Sequence, residues 1–425
     1  MKRLFLFLIL SHFTLIACFA QERNPKVKKD FETAFSNEEL AKMLKFEISE
    51  QDTVSVYFNG DFRARYDAIY GNSEQQLGAK NRRRLRYRVR IAFIIELPKN
   101  FEVGIKLTSS DLVGPEYGGD PISGNTSFTS NGSKKYIFAD WAYASWTPSI
   151  GSKIKTRLSV GKFKNPNEFS DIVFDNDYTP EGIANKWYFN IDKRQNIVLN
   201  CAYLVLDENA DSSEDPHLVG AYLGHDYHNE NIHLLFGGAY AEIRDAKALT
   251  NEAVPNSNIG NTRDEDGAPI YAFKNLILDG AIGYNFGKFG GFDRFSIQLA
   301  AEYLYNFDPE QDNKAWTIAV RFGEDGKKNT WSFTYRYKYL EKDSWYEEIV
   351  DSDFGAYYQN PLPNSGEESG YRPGTNIKGH RLTGRYSLTN NVRFSGILYL
   401  GKLIQPLGDL KTNMERLQVN VEFSF

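Results

Sequence analysis

The chain has 425 residues, with 50 Lys and Arg against 55 Asp and Glu, a formal charge of −5, and 15% aromatic residues. That acidic balance offers no basis for nucleic-acid binding, and two cysteines, Cys18 and Cys201, cannot make a disulfide framework. Past the N-terminus no stretch approaches the roughly 20 apolar residues that a transmembrane helix requires, which excludes a helical membrane protein.

Residues 1–20, MKRLFLFLILSHFTLIACFA, join Lys2 and Arg3 to an apolar stretch and a small residue ahead of Gln21-Glu22. This is the pattern of an export signal with cleavage after Ala20. Leu15-Ile16-Ala17-Cys18 also reads as a lipobox that would leave Cys18 as a lipidated N-terminus. Loss of Lys2 and Arg3 moves the charge to about −7 on simple counting. Residues 21–52 form a charged segment. Within it, Ser36 with Glu39 three residues on makes a capping box, and Leu40, Met43, Leu44 and Phe46 supply an apolar side. A short periplasmic helix is expected there, either as a plug or subunit contact or as a partly ordered leader.

From Thr53 onward the pattern changes to period two. Over 53–66, Val54, Val56, Phe58, Phe62, Ala64 and Tyr66 share one face, while Asn59, Asp61, Arg63 and Arg65 share the other. Residues 82–97, RRRLRYRVRIAFIIEL, sharpen it: Leu85, Tyr87, Val89, Ile91 and Phe93 oppose Arg84, Arg86, Arg88 and Arg90. After Pro98-Lys99-Asn100, residues 101–110 set Phe101, Val103, Ile105 and Leu107 against Glu102, Lys106 and Thr108. Alternation recurs at 136–147 and 154–163, and near 182–190, 195–206, 217–227, 231–243, 273–286, 293–306, 315–323, 329–340, 379–388, 392–403 and 414–425. No helical layer exists to cover these apolar faces, so lipid must. Backbone in hydrocarbon has to be fully paired, which leaves a closed barrel. The chain therefore predicts an all-β fold: a transmembrane, antiparallel, up-and-down β-barrel of about 16 strands over 53–425, in which short turns alternate with long, acidic or polar loops.

The parity opposite to the apolar stripe then lines the interior. It carries Arg63, Arg65, Arg84, Arg86, Arg88, Arg90, Lys106, Asp140, Arg321, Arg336, Lys338, Arg381, Arg385, Arg393 and Arg416. On a lipid face each arginine would cost about 2–4 kcal/mol near the midplane. Such a wall either favours anions or is braced by acids such as Asp61, Glu102 and Asp140. The stretch 161–182, GKFKNPNEFSDIVFDNDYTPEG, breaks the alternation and groups Asp175, Asp177 and Glu181 with Lys162 and Lys164. Three readings stand for the loop near 164–194: a segment folded inward so that its carboxylates oppose the arginines, a calcium site whose spacing does not match an EF-hand, or a solvated outer loop. At the C-terminus, Leu417, Val419, Val421, Phe423 and Phe425 alternate with Gln418, Asn420, Glu422 and Ser424. This resembles the targeting strand by which outer-membrane barrels meet the barrel-assembly machinery.

The succession GDFRARY, RRRLRYRVRIAF, FADWAYASW, GKFKNP and FDNDYTPEG over 53–185 resembles the putative-porin family of Gram-negative outer membranes. The resemblance maps Arg63, Arg65, Arg84, Arg86, Arg88, Arg90, Asp140, Lys162, Lys164, Asp175, Asp177 and Glu181 onto family-pattern positions. It implies a passive pore that can assemble as a homotrimer, and names no solute; the leading reading is a diffusion channel for small hydrophilic solutes, set in outer-membrane lipid and lipopolysaccharide and with no cofactor. An exporter of an anionic polysaccharide would use the same arginines, and an adhesive barrel would need larger loops. A barrel hydrolase would need a nucleophile beside a base. Of His217, His225, His228, His233 and His380, the pair His225 and His228 would point to opposite faces, so neither a metal pair nor Ser-His catalysis is indicated.

Overall fold

The computed structural model describes residues 46–49, 52–71, 81–111, 122–167, 169–210, 213–251, 259–289, 295–355, 373–406 and 412–425. In chain order the strands are β1 Phe46–Ser49, β2 Asp52–Gly71, β3 Arg82–Leu97, β4 Phe101–Ser110, β5 Thr126–Ser127, β6 Tyr136–Trp146, β7 Ile154–Lys162, β8 Glu181–Asn190 and β9 Gln195–Val205. They continue with β10 His217–His228, β11 Ile232–Arg244, β12 Phe273–Asn285, β13 Ser296–Asn306, β14 Lys314–Gly323, β15 Thr330–Leu340, β16 Ile377–Ser387, β17 Val392–Leu403 and β18 Met414–Ser424. Leaving aside the short β1 and β5, each strand pairs antiparallel with the next, and β18 pairs with β2 from Met414↔Gly71 to Ser424↔Asp61. The result is a closed barrel of sixteen antiparallel strands. At the seam Gly60 and Phe425 exchange backbone hydrogen bonds of 2.8 and 3.0 Å, so the last residue completes the ladder. Signal, leader and most of the helical pattern at 36–46 lie outside the described residues. Phe46, placed on that helix's apolar side from sequence, instead begins β1, which pairs with β2.

Alternation is what sends the strands into lipid. On β3, Leu85 is 52% exposed and Phe93 42%, whereas Arg86 and Arg88 of the opposite parity are 4% and 5% exposed. Near the short-turn end, aromatic rings cluster: Phe101 stacks on Trp146 at 5.7 Å, and Phe295 meets Phe289 at 5.2 Å and Trp331 at 6.2 Å. Such rings suit an interfacial girdle.

Two findings depart from the sequence expectation. The inward loop is shorter than 164–194, because the strand expected near 182–190 is present and occupies the second half of that range. The inward-packed part ends at 180, and from Glu181 the chain is strand β8, in register with β7 from Lys162↔Glu181 to Ile154↔Phe189. The inner face is also not uniformly polar. Leu204, Leu218, Ile243, Phe273, Ile277, Leu304, Leu340 and Ile377 form an apolar core with Phe163, Ile172, Val173 and Phe174 of segment 163–180 and with Trp345, Tyr346, Ile349, Val350 and Phe354 of segment 341–355. Both segments fold into the barrel and need apolar wall to bury against, each large side chain contributing about 1.5–3 kcal/mol. Alternation cannot report this, because the apolar inner residues sit singly among polar ones, as Leu304 does between Glu302 and Asn306 and Leu340 beside Lys338.

Candidate functional site

The β2–β3 register creates an electrostatic problem. It pairs Asp61↔Arg90 and Asp67↔Arg84, but also Arg63↔Arg88 and Arg65↔Arg86, and β15–β16 adds Arg336↔Arg381. Like charges directly opposite destabilise a ladder, so acid must arrive from elsewhere. It arrives mainly from the two inward segments. Asp177 accepts from Arg88 Nη1 on both carboxylate oxygens at 2.9 Å and from Arg90 Nη1 at 3.2 Å. Asp353 lies 2.9 Å from Arg416 and 4.0 Å from Arg65. Asp171 takes Arg381 at 2.7 Å and Arg336 at 3.1 Å. Asp67 binds Arg84 at 2.8 Å, Arg416 at 2.9 Å and Arg86 at 3.9 Å, while Asp61 binds Arg90 at 2.7 Å and Arg88 at 3.5 Å.

The segments are fixed in turn. The backbone N–H of Asp177 donates to Asp175 Oδ1 at 2.7 Å, a local turn that sets the carboxylate's direction. The N–H of Asp175 donates to the Ile349 carbonyl at 2.8 Å, tying the first segment to the second. Lys338, 0% exposed, donates to the carbonyls of Asp171 at 3.1 Å and Asp351 at 3.3 Å. Above them Arg263 and Glu347 form a 2.7 Å ion pair with both side chains 0% exposed. Asn261 donates to the Lys342 and Trp345 carbonyls at 2.8 Å. Segment 259–267 therefore clamps 341–349 from the mouth side.

What remains between wall and segments is a cavity of about 190 Å³, whose charged lining is Arg63, Arg65, Arg381, Arg385 and Arg393 and, against them, Asp175, Asp177, Asp351, Asp353 and Glu422. Arg63 donates to Asn125 Oδ1 at 2.6 Å and Arg65 to Asn420 Oδ1 at 2.6 Å. Among the described residues, neither Arg63 nor Arg385 makes an ion pair. Burial works to neutralise Asp171 and Asp177, but Arg381 and Arg336 around the first, and Arg88, Arg63 and Arg90 around the second, hold both well below the usual carboxylate range. Asp351 goes the other way: burial and then the neighbouring Asp353 charge push it up to about 7.

The remaining sequence candidates divide. Lys106 and Asp140 pair at 2.8 Å, and Lys164 borders a second cavity beside the first. Lys162 and Glu181 are not loop residues: they end β7 and begin β8, bind each other at 3.1 Å, and Glu181 is turned away from the arginines and exposed. Glu102 pairs with Arg157 at 2.6 Å and does not brace the ladder. Sequence reasoning missed Asp67, Asp171, Asp351 and Asp353, together with the whole of 341–355. The run SWYEEIV at 344–350 breaks period two much as 163–180 does, and that was the available signal. No group of three or more His, Cys, Asp or Glu is placed to hold a metal among the described residues.

A closed sixteen-stranded barrel with a lipid-suited exterior and a charged, narrowed interior defines a porin-type channel of the outer membrane. The sequence profile described as "putative porin" matches residues 75–275 and 267–425, and the chain belongs to that family. Comparison with curated proteins yields no match. Among solved structures, OprB of Pseudomonas putida is similar in fold, with TM-score 0.51 and 10% identity over 87% of this chain and 94% of that one. A mutant of the Rhodopseudomonas blastica porin aligns with TM-score 0.42 and 12% identity over 87% of this chain and all of the other.

Proposed function

We propose that the protein is a passive diffusion channel for small hydrophilic solutes, with a preference for anions. The observation that carries this reading is the opposition of wall arginines to carboxylates from the inward segments across the 190 Å³ cavity. Among the described residues Arg63 and Arg385 line this cavity without a salt-bridge partner, and their charge is what a passing anion meets in this reading. A ring or wall of surplus arginine lowers the barrier to anions. In this reading Arg63, Arg65, Arg84, Arg86, Arg88, Arg90, Arg336, Arg381 and Arg385 line the solute path, Lys106 with Asp140 borders it, and Asp175 and Asp177 narrow it. Export on a cleaved signal, assembly through the strand ending in Phe425, and association as a homotrimer in lipid and lipopolysaccharide complete the proposal. An exporter of anionic polysaccharide fits less well, because two packed segments joined by the Asp175–Ile349 hydrogen bond cross the path of a long polymer.

Planar-bilayer recording of the purified protein tests this. Stable open conductance with a reversal potential displaced toward that of the anion is the expected result. A membrane that stays silent at all voltages would overturn the channel reading, and a cation-directed reversal potential would overturn the preference.

A further inference from the structure

Beside the arginine cavity, on the far side of Asp177, lies a second and larger one of about 550 Å³, inside the ~300–1,000 Å³ range of small-molecule sites. Its construction differs. A bulge in β6 shifts the register against β4 between Lys106 and Leu107, so that Lys106 faces Trp141 and Asp140 is the extra residue. A bulge breaks alternation and turns neighbouring side chains to one face. Here Asp140 and Trp141 both border the cavity. The Trp141 ring does not project; it lies against the wall over Gly104, together with Tyr143, the two centroids 5.2 Å apart. A Cβ on Gly104 would stand 2.7 Å from Trp141 Cζ3 and 2.5 Å from Tyr143 Cε1. Glycine is therefore the floor of a niche that holds the rings flat, leaving indole surface for the cavity.

Around that plate the hydrogen-bonding groups are balanced in charge. Lys106 sits 5.6 Å from the Trp141 centroid and 2.8 Å from Asp140. Across the cavity, segment 163–180 presents Tyr178 stacked on Phe174 at 5.5 Å. Asn165 borders it as well. An aromatic plate and a neutralised Lys–Asp pair offering both donors and acceptors are the complement of an uncharged ring that has an apolar C–H face and hydroxyl groups at its rim.

We propose that this cavity is a binding subsite for a neutral pyranose sugar, stacked on Trp141 and hydrogen-bonded by the Lys106–Asp140 pair. The proposal rests on the interior being the solute path. It separates two routes past Asp177, one along the wall arginines for small anions and a charge-balanced, aromatic one where a sugar ring pauses.

The test uses D-glucose, with sorbitol as an acyclic polyol that has no ring and so no C–H face to stack. In planar bilayers glucose is expected to reduce the ionic current saturably, and sorbitol only in proportion to viscosity. Trp141→Ala should weaken the glucose effect by about tenfold, the scale of losing one good aromatic contact, and Trp141→Phe should largely keep it. Gly104→Ala, which touches no sugar, should weaken it too by lifting the rings. Equal, non-saturating effects of glucose and sorbitol, or a Trp141→Ala channel with unchanged glucose response, would overturn the subsite. Calorimetric titration of the detergent-solubilised protein with glucose decides the same question without conductance. Binding by a silent barrel would overturn the channel reading and keep the site, while open channels without saturable binding would do the reverse.

Discussion

Replacing Asp177 with Asn removes one negative charge from the point where segment 163–180 meets Arg88 at 2.9 Å and Arg90 at 3.2 Å. For an ion passing about 5 Å away through water, a unit charge changes its energy by about 0.8 kcal/mol before screening. A Debye length of about 8 Å at physiological salt lowers this to about 0.5 kcal/mol. The sign is opposite for anion and cation, so their relative permeability changes by about 1 kcal/mol, or roughly fivefold toward the anion. Reversal potentials under a salt gradient measure this ratio directly. Asp177→Glu, which keeps the charge, should stay within about twofold of the parent on the same scale. Arg88→Gln should move the ratio the other way, and replacing Arg86 and Arg88 together by Glu should move it further still. An Asp177→Asn channel that opens normally with an unaltered ratio would refute the reasoning and leave these pairs as braces alone.

Acidification provides a second handle. Asp351, pushed up to about 7 by burial and Asp353, faces Asp353 on its own segment, Asp171 on the other, Lys338 on β15 and Arg381 on β16. As pH falls through about 7 it takes up a proton, the constriction loses a negative charge, and anion preference should rise between pH 8 and 6; Asp351→Asn should abolish the dependence. Asp171 and Asp177, held below the usual range, act oppositely. The stability they contribute is full above the ordinary carboxylate range and is lost as pH falls through their lowered values, so the segments should stay docked in mild acid and loosen only below about pH 4. Arg263→Met strands the buried Glu347 carboxylate at a cost of about 3–5 kcal/mol. Faster proteolysis within 341–355 and noisier current are expected, with partial recovery when Glu347→Gln is added; unchanged protease resistance would show that the clamp is idle. Phe425→Ala removes the ring 5.9 Å from Phe58 and should reduce the fraction of protein that shifts on heating in a denaturing gel. An undiminished shift would argue that the backbone pairing with Gly60 suffices.

Barrel, strand parity and sidedness were all legible in the residues, because each is a local consequence of period two. A strand such as β3 with Leu85, Tyr87 and Val89 opposite Arg84, Arg86 and Arg88 can bury one face in lipid only if the other turns inward, and no distant residue alters that. The partners of those arginines were a different matter. Asp67 is adjacent in sequence space to the ladder, but Asp177 is 89 positions from Arg88 and Asp353 is 63 from Arg416, and their meeting depends on how two connections fold back into the interior. What sends them there is the set of apolar inner residues from Leu204 to Ile377, which lie singly among polar neighbours of the same face and so leave no pattern along any one strand. The amino-acid sequence by itself determined a closed barrel with arginines inside. Only the tertiary structure decided how many of them are neutralised, because ion pairing across the interior acts over a few ångströms of space and through dozens of residues of chain.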